Sequence, residues 1–227
     1  MPPSTRATPA RSSSWHKEPA MRATASALLA ACAMLLLPTA CAPRGGRRAR
    51  PTPAPQPLIA PAARWGYVGG QAVARADAEV KNTQDKALYL TERYSMSAYR
   101  IPMAKGACSV KLHFAETYEG IKQAGQRVFT VALEGKPVLP DLDVFREAGN
   151  QSFAAIVKEF AVEVKDGELT IEFTPKVQNP MINAIEVRAL RQGRPAGAAL
   201  LINCGAAADY EAKDGRIWRR DQEYAAP

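Results

Sequence analysis

Residues 158–175, KEFAVEVKDGELTIEFTP, alternate apolar and polar side chains on both sides of an Asp-Gly pair. Placing Asp166-Gly167 as a two-residue turn sets Val164 opposite Leu169, Val162 opposite Ile171 and Phe160 opposite Phe173. Glu163 with Thr170 and Ala161 with Glu172 then fall on the other face. One turn assignment sorts both strands, so a β-hairpin with a single buried face is expected here.

The same period recurs. In Ala107–Phe114, Cys108, Val110, Leu112 and Phe114 share one face, and Ser109, Lys111 and His113 the other. Phe129, Val131 and Leu133 lead into Glu134-Gly135, a hairpin turn before Pro137-Val138-Leu139. Residues 182–187 alternate less cleanly and read as a strand covered on both faces. Short helices are expected only within Ala72–Glu79 and Pro140–Ala148. Short strands joined by turns predict an all-β chain, an antiparallel β-sandwich with one or two short helices.

The chain carries 30 Lys and Arg against 22 Asp and Glu, a net charge of +8. Eight of those bases and one acid, Glu18, fall in residues 1–63, which leaves residues 64–227 with about +1. A nucleic-acid binder concentrates positive charge on its folded part. Nucleic acid is therefore not an expected partner.

The basic stretch instead frames an export signal in residues 1–41. Met21-Arg22 precedes an uncharged run, Ala23–Leu37, that suits a signal core and is too short for a membrane span. Pro38-Thr39-Ala40-Cys41 resembles a bacterial lipobox, with Pro38 where an aliphatic residue is usual, so Cys41 is the candidate lipidation site. Leu29-Ala30-Ala31-Cys32 fits that box better but leaves a shorter apolar run, and an ordinary cleaved signal is the alternative. Residues 1–20 have no periodicity, which makes Met21 a candidate true start. Residues 42–63 are rich in Pro, Ala and Arg and read as a disordered tether. The expected location is a bacterial cell envelope, with membrane contact through a lipid anchor only, or otherwise the periplasm or exterior.

Within the folded part, Leu88–Tyr94 (LYLTERY), Tyr99–Pro102 (YRIP), His113–Tyr118 (HFAETY) and Ala124–Phe129 (AGQRVF) precede Asp141–Phe145 (DLDVF). Ala148-Gly149 and Asn179–Val187 (NPMINAIEV) follow. These motifs, in this order, resemble the malectin family over Trp65–Val187 and Leu201–Tyr224. The resemblance implies a jelly-roll-like, galactose-binding-like β-sandwich that binds carbohydrate without catalysis. Family members normally open with an INCG strand and a DGR-x-W turn, then pass through D-x-x-Y into W-G-Y-x-G-G. Here Ile202–Gly205, Asp214–Trp218 and Asp221–Tyr224 stand at the C-terminus, while Trp65–Gly70 opens the folded region. A circularly permuted single domain over 64–227 is expected: a main part (64–190), a joining linker (191–199) and a displaced opening segment (200–227). A truncated second domain and a strand exchanged between molecules are the rivals.

Sugars are held by aromatic rings stacked on their C–H faces and by planar polar groups bonded to paired hydroxyls. The resemblance implies a site for a glucose-type glycan at Tyr94 and Tyr118, with Tyr67 as the loop tyrosine. Two further positions depart from the family pattern, Glu119 replacing an aromatic and Gln178 replacing an acid. Those substitutions weigh against the diglucoside preference of the animal protein. The alternative is an envelope interaction domain that has lost sugar binding.

No catalytic role is expected. His113, the only His beyond the leader, has no nearby Ser or Cys motif. Glu116, Asp141 and Asp143 could be nominated as a glycosidase pair, but Asp141 and Asp143 belong to the family's structural motif. No metal or other cofactor is expected, because the His and Cys spacing fits no zinc site. Cys108 and Cys204, on apolar strand faces, read as small hydrophobes; Trp65 and Trp218 read as core anchors.

Overall fold

The computed structural model describes residues 64–225. The expected export signal, the candidate lipidation site Cys41 and the expected tether lie outside the described residues. The strands are β1 (Gly66–Ala74), β2 (Thr91–Pro102), β3 (Gly106–Phe114), β4 (Val128–Leu133), β5 (Lys136–Leu142), β6 (Ile156–Val164) and β7 (Glu168–Val177). They continue as β8 (Met181–Ile182), β9 (Ala184–Arg191), β10 (Arg194–Pro195), β11 (Leu200–Asn203), β12 (Tyr210–Glu211) and β13 (Ile217–Arg220).

One sheet runs β1-β2-β7-β4-β5, with β8 also on β2; the other runs β12-β13-β11-β9-β3-β6, with β10 also on β9. Their inner faces close over Tyr99, Ile101, Val110, Leu112, Phe114, Phe129, Ile171, Ile185 and Ile202, all fully buried. This is the antiparallel-rich β-sandwich the alternation predicts.

The expected pairing of the two strands around Asp166-Gly167 is wrong. β6 pairs with β3, whereas β7 lies between β2 and β4 in the opposite sheet. The faces are assigned correctly, since Val164, Leu169, Ile171 and Phe173 are buried in the core. Strands that face each other across a core about 10 Å thick alternate just as side-by-side strands do. Period alone therefore cannot separate a hairpin from a crossing between sheets. The corner is fastened where Asp166 Oδ1 accepts from Glu168 N at 3.1 Å and Gly167 O accepts from Met103 N at 2.9 Å.

Glu134-Gly135 is a hairpin turn as expected. Leu133 pairs with Lys136, and the two turn residues have φ of 52° and 70°, the left-handed values a type I′ turn needs. A short helix α1 (Val144–Glu147) falls within the expected window, capped where Asp143 Oδ1 accepts from Arg146 N at 3.0 Å. Ala72–Glu79 is not helical, because Ala72–Ala74 complete β1 against β2. A 3₁₀ turn at Lys86–Tyr89 is too short to leave a readable period.

The strand at Ala184–Val187 is buried on both faces, as expected. Its outer side is roofed by a second apolar layer containing Leu88, Tyr89, Leu201 and Trp218. Within that layer Tyr89 Oη shares a hydrogen bond of 2.9 Å with His113 Nδ1, and Trp218 stands edge-on to His113 at 5.5 Å. Asn183 ties the layers together: its Nδ2 donates to Tyr89 O and Thr91 O, and its Oδ1 accepts from Ala115 N.

The C-terminal stretch is part of the second sheet. β11 lies between β9, antiparallel to it, and β13, parallel to it. Arg191–Ala199 is less a linker than a hairpin return. Arg191 pairs with Arg194 around Gln192-Gly193, whose φ values of 52° and 72° again fit a type I′ turn. At the other end, Tyr67 N donates to Gln222 O at 3.0 Å and Tyr224 N to Tyr67 O at 2.9 Å. Gly66 permits that approach, for a Cβ there would lie 2.3 Å from Gln222 O. Cys108 and Cys204 are buried and unbridged.

Candidate functional site

A cleft of about 260 Å³ opens where the ends of several strands meet, lined by Val73, Arg75, Glu92, Tyr94, Tyr118, Arg127, Gln178 and Asn179. β1 supplies Val73 and delivers Arg75 one residue past its end. Glu92 and Tyr94, two apart on β2, project to the same side. Tyr118 lies in the loop after β3, Arg127 immediately precedes β4, and Gln178-Asn179 follow β7. Three sequence-expected residues, Tyr94, Tyr118 and Gln178, are thus brought together.

Polar anchoring holds the lining. Arg75 Nη2 donates to Glu92 Oε1 at 2.9 Å, and the Thr117 hydroxyl donates to Glu92 Oε2 at 2.8 Å. Tyr94 Oη donates to Gln71 Oε1 at 2.7 Å. Glu116, fully buried, accepts from Tyr118 N at 3.0 Å and so fixes the turn that presents the ring. Its Oε2 sits 3.0 Å from Arg127 Nε. Burial pushes the Glu116 carboxyl up to about 7, with the Arg127 charge pulling the other way.

Tyr118 is 43% exposed, a ring surface available to a ligand. The guanidinium carbons of Arg75 and Arg127 lie 5.8 and 6.0 Å from its centroid. Gly120 sits under the ring; a Cβ there would come within 2.4 Å of Tyr118 Cε1. Gln178 holds a left-handed φ of 59° and turns its Oε1 back to accept from Asn179 N at 3.0 Å.

Two expected residues lie elsewhere. Tyr67 is six residues before Val73 on β1, roughly 20 Å along an extended strand. Its ring is covered by the Arg93 guanidinium, 3.2 Å from the centroid, and meets Tyr99 edge-on at 6.4 Å. Tyr67 is a packing residue beside the C-terminal segment. Glu119 is exposed and outside the cleft lining.

Sequence reading did not single out Glu92, Arg127 or Asn179 for the site, although all three sit inside quoted motifs. Arg75 and Val73 carried no motif at all. The nominated carboxylates serve structure: Glu116 pairs with Arg127, Asp143 caps α1, and Asp141 pairs with Lys176 at 2.8 Å on the surface. Among the described residues no group of His, Cys, Asp or Glu is gathered to hold a metal, and no helix is long and apolar enough to cross a membrane.

The exposed Tyr118 ring and the half-buried Tyr94 thus stand beside planar polar groups in one cleft of the β-sandwich. The malectin domain profile matches residues 64–194, more than half of the chain, and the chain belongs to that family. Human malectin is 31% identical over 125 residues, covering 48% of this chain and 41% of its own. Receptor-like protein 4 of Arabidopsis thaliana is 40% identical over 80 residues, covering 35% of this chain and 13% of its own. The chain thus spans well under half of these relatives. Among solved structures, a Bacteroides uniformis β-glucuronidase matches with a TM-score of 0.51 and 25% identity over 59% of this chain, but over only 15% of the enzyme. The extracellular domain of ANXUR2 from Arabidopsis thaliana shares the fold, with a TM-score of 0.50 and 15% identity over 60% of this chain and 43% of its own.

Proposed function

We propose that the protein is a non-catalytic carbohydrate-binding module whose ligand, a glucose-type or related glycan, sits on Tyr94 and Tyr118. The observation that carries this reading is the convergence of Tyr94, Tyr118 and Gln178, far apart in sequence, on one cleft with Arg75, Arg127 and Asn179. Rings supply area at little entropic cost, while amides and guanidinium groups supply planar donors for hydroxyl pairs.

The apolar run before Cys41 supports export and lipid anchoring at a bacterial envelope. Residues 42–63 would then tether the module. The order of segments supports a circular permutation. Trp65 to Val187 follows family order, the opening segment comes last, and the strands to be joined, β9 and β11, are antiparallel neighbours connected through residues 192–199.

The test is a glycan array probed with the full chain and with Tyr94→Ala and Tyr118→Ala. Binding lost in both variants, with thermal unfolding retained, supports the reading. No binding by a folded parent chain favours an envelope interaction domain instead.

A further inference from the structure

The cleft lining presents two guanidinium groups, and the carboxylates paired with them, Glu92 and Glu116, are buried. Among its described residues Arg75 and Arg127 are basic and Glu92 is the one carboxylate. Glu92 is only 2% exposed, and both its oxygens are engaged by Arg75 and Thr117. It is committed to holding Arg75 in place. Position 178, where the family resemblance puts an acid, carries a neutral amide.

Arg127 adds a second observation. It is 5% exposed, and its Nη1 is buried without a hydrogen-bond partner. Its Nε is close to Glu116 but not aligned for a hydrogen bond. A buried donor left unpaired costs about 1–3 kcal/mol, more when charged. An anionic ligand group is the acceptor that relieves this cost most.

We propose that the cleft selects a carboxylate-bearing sugar, one uronic-acid residue of a glycan, with Arg75 and Arg127 engaging the carboxylate while Tyr94 and Tyr118 carry the ring. The inference rests on the glycan-binding reading and names the substrate class of that site. Guanidinium forks match carboxylates in plane and in charge, and charge-assisted bonds are about twice as strong as neutral ones. Both guanidinium groups stand within about 6 Å of the Tyr118 ring centroid, close enough to reach a substituent of a sugar held at that ring. The cleft volume of about 260 Å³ lies just below the 300–1,000 Å³ usual for drug-sized ligands. That size fits a single sugar ring better than a long oligosaccharide.

The experiment is calorimetric titration of the full chain with disaccharides of glucuronic, galacturonic and mannuronic acid, each beside its carboxyl-reduced counterpart. At least one acid form is expected to bind about ten- to hundredfold more tightly than its neutral twin, with affinity falling as salt rises. Residues 1–63 are basic and could attract any polyanion, so the same pairs are run on Arg75→Gln, which leaves that stretch intact. In Arg75→Gln the acid-to-neutral ratio should collapse toward one while thermal unfolding stays cooperative. Equal or tighter binding of the neutral sugars overturns the acidic specificity and leaves the glycan-binding reading standing. A preference that persists in Arg75→Gln also overturns it, by placing the charge recognition outside the cleft. Binding of neither form by the folded chain overturns both readings.

Discussion

Arg93 and Asp221, 128 positions apart, form an ion pair of 2.5 Å with side chains only 6% and 2% exposed. Asp221 also accepts from Tyr99 Oη at 3.1 Å and from Gly205 N at 2.7 Å. The pair binds the C-terminal segment to the long strand β2 at the centre of the fold. Asp221→Ala leaves a buried guanidinium without its partner and should cost about 3–5 kcal/mol. Replacing both partners, Arg93→Met with Asp221→Leu, should recover much of that loss, because an apolar pair avoids desolvating charge. Urea denaturation of the three variants measures it. A double variant no better than Asp221→Ala alone would contradict this account.

Ile202 and Trp218 extend the same argument to apolar packing. Both are buried, Ile202 in the inner core and Trp218 in the outer layer. A chain ending at residue 195 loses both, along with Asp221, and should show no cooperative unfolding. Ile202→Ala in the full chain should cost about 2–5 kcal/mol. An unchanged melting temperature in the truncated chain would mean the segment is dispensable.

How much of this could be read in the sequence depended on which interaction set each feature. Alternation in β3, β4, β6 and β7 marked which side chains face the core, because burial alone fixes that. It could not tell that β6 and β7 belong to opposite sheets, because their partners come from distant segments. Tyr94, Tyr118 and Gln178 were legible through family motifs. Tyr67 lies away from the cleft because β1 runs on for six residues from it before reaching Val73 at the lining. Arg75 had no signal, since its importance comes from contacts with Glu92 and Thr117 that only the fold creates.

Two buried groups give opposing responses to pH. Burial, aided by the Lys111 and Arg216 charges, lowers His113 from the ordinary 6.5 to about 4. Below pH 6.5 the unfolded chain takes up a proton that the fold refuses, so stability falls as pH drops from about 6.5 to 4, by roughly 3 kcal/mol. Glu116 is raised from 4.5 to about 7. There the folded chain keeps a proton that the unfolded chain releases, so stability falls as pH rises through that window. Glu116→Gln removes the second response. Its unfolding free energy should therefore rise with pH between 4.5 and 6.5 more steeply than that of the parent, as denaturant curves at several pH values would register. Parallel profiles would contradict the assignment.

Gly120 offers a way to move Tyr118 without disturbing the core. A Cβ at position 120 meets the distal atoms of the Tyr118 ring, at 2.4 to 2.9 Å, and the ring can swing aside. Gly120→Ala should change stability by less than about 0.5 kcal/mol. Glycan affinity should nonetheless drop about tenfold, as expected for the loss of roughly 1.4 kcal/mol of ring contact. Titration calorimetry beside thermal unfolding separates the two effects. A loss of stability matching the loss of affinity would sink the idea.

The most direct measurement compares Tyr118→Ala with Tyr67→Ala in glycan binding and in thermal unfolding. Tyr118→Ala should abolish binding while the fold persists, because this exposed ring belongs to the cleft. Tyr67→Ala should bind as the parent does but unfold at a lower temperature, because its ring packs on Arg93 and Tyr99. Binding that survives Tyr118→Ala and disappears in a folded Tyr67→Ala would place the sugar site at the other end of β1 and contradict the account.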